Sequence, residues 1–121
     1  MFDHIGLNVS DFDRSRAFYE PSLAVLGHSV QMEFGRGAGF GQDGKPSFWI
    51  IEREPVGTAT HVAFVADNRE TVDRWYEAAL AAGGVDNGPP GVRAHYHPTY
   101  YSAFVHDPDG TNVEAVCHRP G

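Results

Sequence analysis

The sequence has a single cysteine, Cys117, so no disulfide can close within the chain. Cations are scarce: nine Lys and Arg stand against sixteen Asp and Glu, a formal net charge of −7. That balance has the wrong sign for a phosphate backbone or an anionic bilayer surface, and argues against nucleic acid and membrane as partners. Long apolar runs are missing as well. None approaches the roughly 20 residues of a bilayer span, and the opening MFDHIGLNV lacks the basic segment and extended apolar stretch of a secretory signal. Together these absences lead to the expectation of a chain in a reducing, cytoplasmic setting.

What is present suffices for one packed domain. The 121 residues are 41% hydrophobic and 12% aromatic, and charged residues, at 21%, fall well short of a disordered composition. The dominant pattern is an internal repeat with an offset of 57 residues: HIGLNVSDFDRSRAFYEPSLAVLG, from His4, lies over HVAFVADNRETVDRWYEAALAAGG, from His61, without a gap. Identities fall at His4 and His61, Tyr19 and Tyr76, Glu20 and Glu77, Leu23 and Leu80, and Gly27 and Gly84. The repeat predicts two tandem modules, approximately residues 1–57 and 58–121.

Each module opens with a short β-branched apolar run, His4 to Val9 and Thr60 to Val65, which reads as a strand. A helix follows, capped by Ser10 or Asp11 in the first copy and by Asp67 or Asn68 in the second, and stopped by glycine. Pro21 predicts a kink or a restart in the first helix. Three shorter runs complete each copy. In the first they are His28 to Phe34, Ala38 to Gly41 and Ser47 to Ile51; in the second, Val92 to Ala94, Tyr101 to His106 and Thr111 to Val116. Gln42-Asp43-Gly44-Lys45 and Asp107-Pro108-Asp109-Gly110 supply the last turns. The expected fold class is α+β, two βαβββ modules with mostly antiparallel sheet.

Alternation along a strand puts His4, Gly6 and Asn8 on one face, His61, Ala63 and Val65 on another, and Asn112, Glu114 and Val116 on a third. Apolar residues on the opposite faces are the natural ones to pack under the helices. A pseudo-twofold relating the modules would bring His4 and His61 towards each other, with Glu114 near His61. Two histidines and a carboxylate form a facial set for a divalent transition metal that leaves positions open for substrate. A lone strand histidine is usually a hydrogen-bonded structural residue, but two at equivalent repeat positions, with an inward carboxylate that would be costly to bury alone, favour a metal. A second cluster, RAHYHPTYYSAFV, groups His95, His97, Tyr100 and Tyr101, residues suited to proton transfer or to hydrogen bonding an oxyanion, or simply to forming a rim. Phe48 and Trp49 can wall a ring-bearing substrate or join the core, and Arg36, in FGRGAGFG, can meet an anionic group or belong to a mobile loop. Cys117 and His118 receive no role.

The runs HIGLNVSDFDRSRAFY, THVAFVA and AFVHDPDGTNVEAV, spread over nearly the whole chain, resemble the vicinal oxygen chelate superfamily, which includes glyoxalase I, bleomycin-resistance proteins, fosfomycin-resistance enzymes and extradiol dioxygenases. The resemblance implies paired modules that form a cupped, barrel-like sheet around a metal, with His4, His61 and Glu114 at three of the family's ligand positions. It places Trp49 at or beside the fourth, where glyoxalase-like members carry a carboxylate; the remaining His, His, Glu set looks more like the triad of extradiol dioxygenases. The implied cofactor is iron, manganese, nickel or zinc. The implied partners are a small-molecule substrate and a second copy in a homodimer, with the metal held within one chain or shared by His4 of one copy and His61 and Glu114 of the other. Three functions follow as expectations: a metal-dependent enzyme of dioxygenase-like or isomerase/lyase-like chemistry, a non-catalytic binder of a drug or metabolite, and a structural or regulatory module with a vestigial site.

Overall fold

A computed structural model of the chain describes all 121 residues. The elements run β1 (Ile5–Val9), α1 (Phe12–Val25), β2 (Ser29–Phe34), β3 (Gly37–Gln42), β4 (Lys45–Glu52), β5 (His61–Val65), α2 (Arg69–Ala81), β6 (Val85–Val92), β7 (Tyr101–His106) and β8 (Asn112–Cys117). They form two four-stranded sheets with the same order, β1-β4-β3-β2 and β5-β8-β7-β6. In each, the opening strand runs parallel to the last strand of its own half, and the other pairings are antiparallel. The expected α+β architecture is therefore present, built twice. No helix is long and apolar enough to cross a membrane.

Local chemistry accounts for the boundaries. Asp11 caps α1 by accepting from the Arg14 amide at 3.1 Å, and Asn68 caps α2 by accepting from the Thr71 amide at 2.8 Å. Gly27 and Gly83, at φ of +86° and +102°, turn the chain out of the two helices in a conformation that a Cβ disfavours. Pro21 does not make α1 restart; the helix runs continuously from Phe12 to Val25. The carbonyl that Pro21 leaves without a donor belongs to Ala17, on the exposed face of the helix where water serves it. Of the weak run expected at Val92 to Ala94 only Val92 is in a strand, as the last residue of the eight-residue β6, Val85–Val92, which lies earlier in the chain. Its Pro89 and Pro90 read as a turn, yet β6 is an edge strand, where a missing amide costs no ladder bond.

The helices lie against the inner faces of the sheets and pack on each other. Leu7, Val9, Phe40 and Ile50 from one sheet meet Phe18, Tyr19 and Leu23 of α1, while Val105, Val113 and Ala115 from the other meet Val72, Trp75 and Ala79 of α2, in one continuous core. Phe48 joins the halves, with Tyr19 and Phe64 at ring separations of 5.1 and 5.2 Å. A polar tie crosses the same junction. Asp107, 3% exposed, accepts from the Tyr19 hydroxyl at 2.5 Å and from the amides of Asp109 and Thr111 at 2.9 Å each. Above it, Asp109 accepts from the Ser10 amide and hydroxyl, and Arg14 donates to the Pro108 carbonyl.

Truncating Asp107 would strand a buried hydroxyl and a buried amide at once. Asp107→Ala is expected to lower the unfolding free energy by about 2–4 kcal/mol, against less than about 1 kcal/mol for Asp109→Ala at the exposed rim, read from urea unfolding. Equal losses would contradict the assignment of Asp107 as the junction tie.

Candidate functional site

The ligand-bearing faces are those turned away from the helices. On β5 the pattern of exposure places Val62 inside and His61, Ala63 and Val65 outside. On β8, Glu114 shares that outer face, being the register partner of Ala63 on β5 and of Phe104 on β7. Its side chain is only 1% exposed, and each oxygen has a partner: Oε1 lies 2.8 Å from His61 Nε2, and Oε2 accepts from the Tyr100 hydroxyl at 2.5 Å. A carboxylate so enclosed needs compensating donors or a cation. The 2.8 Å between Nε2 and Oε1 is also close to the separation of about 3 Å for two ligands on adjacent octahedral positions at about 2.1 Å each.

Tyr100 reaches Glu114 because the loop before β7 folds back on itself. The Arg93 amide donates to the Tyr100 carbonyl at 2.7 Å, closing the loop at its base, and the rings of His95, Tyr96, Tyr100 and His118 contact in series at 4.2, 5.0 and 5.2 Å. Burial, and after it the hydrogen bond and charge of Glu114, raise the Tyr100 phenol above its ordinary range, so it holds its proton. The rest of the RAHYHPTYY cluster is divided. His97 is an exposed turn residue whose Nδ1 accepts from the Thr99 amide, and Tyr101, the first residue of β7, points to the helix side, where its hydroxyl donates to Asp73 at 2.6 Å.

His4 sits on the other sheet. Its Nδ1 is 2.7 Å from Asp3 Oδ1, which leaves Nε2 as the free ring nitrogen, and Asp3 also pairs with Lys45 at 2.6 Å. These three residues form the polar end of a cavity of about 440 Å³ whose walls include Met32, Phe34, Trp49 and Ile51. The register locates the strand position that the resemblance gives to a fourth ligand. Gly6 partners Trp49 as Ala63 partners Glu114, each two residues beyond its histidine, so Trp49 is the first half's counterpart of Glu114. The indole lies on Gly39: a Cβ there would come within 2.7 Å of Trp49 Cε2. Phe34 flanks it at 5.6 Å.

Within one chain the expected approach of His4 to His61 and Glu114 does not occur, since the two opening strands belong to separate sheets and no three His, Cys, Asp or Glu side chains converge on one point. Phe48 is turned into the core, on the opposite face of β4 from Trp49. Arg36 lies outside the cavity as well, held by Glu52 at 2.8 Å and Asp13 at 3.4 Å. Sequence reasoning passed over three residues beside Glu114. Arg93 lies over the Phe104 ring at 5.5 Å, Ser102 Oγ on the same face is buried without a partner, and His118 packs on Tyr100. Strand parity alone identifies Ser102, whereas the other two depend on how the loop and the tail return.

The Glyoxalase/Bleomycin resistance protein/Dioxygenase superfamily model matches residues 1–115. The uncharacterised protein YqjT of Bacillus subtilis is 30% identical, over 93% of this chain and 95% of its own length. Among solved structures, a glyoxalase/bleomycin resistance protein from Albidiferax ferrireducens has a TM-score of 0.84 at 27% identity, covering 97% of this chain and 98% of that one. A glyoxalase/bleomycin resistance protein/dioxygenase family enzyme from Burkholderia phytofirmans has a TM-score of 0.75 over 97% and 98% of the two chains; at 21% identity it shows likeness of fold.

The raised phenols set the sign of an alkaline prediction. Tyr19 and Tyr100 titrate higher in the folded chain than unfolded, so their contribution to stability is intact below the ordinary phenol value of about 10 and is lost as pH rises through the folded values. Urea unfolding between about pH 9 and 11 should show stability falling with pH, with a shallower fall in Tyr100→Phe. An identical slope in that variant would contradict the assignment.

Proposed function

The chain belongs to the Glyoxalase/Bleomycin resistance protein/Dioxygenase superfamily, and from that premise we propose that it is a divalent-metal-dependent enzyme acting on a small substrate with neighbouring oxygens. The observation that carries the reading is the convergence of His61 Nε2 and Glu114 Oε1 at 2.8 Å on an outward sheet face, around a carboxylate with no water to solvate it. Two donors of this chemistry fit two of the three positions of a facial triad, and His4, with Asp3 fixing its tautomer and leaving Nε2 free, supplies the third from a second copy of the chain. The proposed unit is therefore a homodimer in which the outer face of one copy's first sheet covers the outer face of the other's second. Its setting is a reducing, cytoplasmic one, consistent with the free, buried Cys117.

The bound metal, iron, manganese, nickel or zinc, would act as a Lewis acid on the substrate's oxygens. The protein's own residues do the rest. Tyr100 occupies Glu114 Oε2 and so limits that carboxylate to one coordinating oxygen, which suits a first-row metal better than calcium. It also holds a proton next to the reacting groups, and the Tyr96 and His95 rings pack outside it. Trp49 presents an aromatic wall to the substrate from the His4 side. Its presence where a carboxylate would complete a glyoxalase-like set favours dioxygenase-like chemistry over isomerase or lyase chemistry. A second reading, a drug or metabolite binder without turnover, draws on the aromatic cavity beside His4, which exists without any metal.

Protein purified anaerobically and without chelator is expected to carry close to one metal per chain by elemental analysis, with Glu114→Ala and His61→Ala losing it while staying folded. Trp49→Glu, which restores a fourth donor, should raise the affinity for Mn²⁺ by about tenfold or more in calorimetric titration. A folded His61→Ala chain with a full metal complement would overturn the reading, and no uptake by the wild type on reconstitution would favour the binder.

A further inference from the structure

Five of the nine cations, Arg14, Arg53, Arg69, Arg93 and Arg119, have no carboxylate within 4.0 Å. Arg93 is the one of them that is half-buried over Phe104, the register partner of Glu114. Its guanidinium is held in place from several sides. Its Cζ lies over the Phe104 ring at 5.5 Å, and Nη2 donates to the Pro89 carbonyl at 2.6 Å. The neighbouring backbone is glycine at both close approaches: a Cβ on Gly91 would come 3.0 Å from Nη1, and one on Gly88 would come 3.3 Å from Nη2. Strand β6 thus runs close beside this side chain at two glycines.

A guanidinium has five N–H donors in one plane. One donor is engaged here, with the Pro89 carbonyl, and the others have no acceptor in the protein. Phe104, under Arg93, is the register partner of Glu114 and lies 6.1 Å from the His61 ring. The Arg93 amide, bonded to the Tyr100 carbonyl, ties the cation to the same loop that delivers the phenol to Glu114. Two parallel donors of fixed geometry match a planar carboxylate.

We infer that Arg93 is a specificity residue of the site, and that the substrate bears a carboxylate besides its two neighbouring oxygens, the oxygens directed to His61 and Glu114 and the carboxylate to the unbonded N–H donors of Arg93. The inference rests on the metal reading above. It gives a role to a half-buried guanidinium that has no carboxylate partner on this face.

A pair of probes that differ only in the carboxylate tests it: 3,4-dihydroxybenzoate and catechol, titrated calorimetrically into the Mn²⁺-loaded protein. The wild type should bind the carboxylated probe about tenfold or more tightly. Arg93→Gln should abolish the difference while leaving catechol affinity and Mn²⁺ uptake unchanged, and Arg93→Lys, which keeps the charge but not the fork, should retain part of it and serves if the glutamine variant does not fold. A wild type without preference, or an Arg93→Gln protein that keeps it, overturns the inference. Failure of the wild type to take up Mn²⁺ would overturn the metal reading instead, and benzoate against phenol on the metal-free protein would then decide for Arg93 by the same criterion.

Discussion

A carboxylate buried where two half-structures meet has to find its hydrogen bonds inside the protein, and Asp107 finds them on both sides of the junction. The Tyr19 hydroxyl comes from the first helix, and the amides of Asp109 and Thr111 come from the turn that launches β8. Fixing that turn fixes the start of β8 and the register that sets Glu114 opposite Ala63 and Phe104. The same contact presses α1 against the second half, where Phe48, Tyr19 and Phe64 close the core. With the helices committed to each other, the outer face of each sheet is left for function.

The halves share a scaffold and have diverged in what they display. At equivalent register positions one carries Glu114, enclosed by His61 and Tyr100, and the other carries Trp49, bedded on Gly39. The neighbouring residues differ in compensation: Phe104 stands beside the smaller carboxylate side chain, whereas only glycine leaves space beside the indole. One face therefore offers polar donors and the other an aromatic cavity with His4 at its polar end. In the proposed dimer the two faces meet, and each supplies what the other lacks.

Much of the fold was legible because it depends on local signals. The repeated histidine-led strands, the caps at Asp11 and Asn68, the Asp43-Gly44 turn with φ of +53° and +79°, and the strand carrying Glu114 all follow from residue-level preferences. Local rules failed where context dominates. Pro21 is tolerated because the carbonyl it orphans faces water, and Pro89-Pro90 because β6 lies at an edge. For the site, parity placed His4, His61 and Glu114 on their outward faces but could not show that two separate sheets hold them apart within a chain. Nor could spacing choose between adjacent tyrosines. Tyr101 follows strand alternation towards Asp73, and Tyr100 turns to Glu114 because the loop closes through Arg93.

The central claim is that one metal is held by His61 and Glu114 of one copy and by His4 of another. Co-expression of a His4→Ala chain with a Glu114→Ala chain, differently tagged so that the mixed dimer can be isolated, tests it most directly by elemental analysis. Either variant alone should bind no metal, and the mixed dimer, in which one intact His4 faces one intact His61 and Glu114 pair, should regain one metal per two chains. A mixed dimer as empty as its parents, or a His4→Ala protein that keeps its metal, would contradict the account.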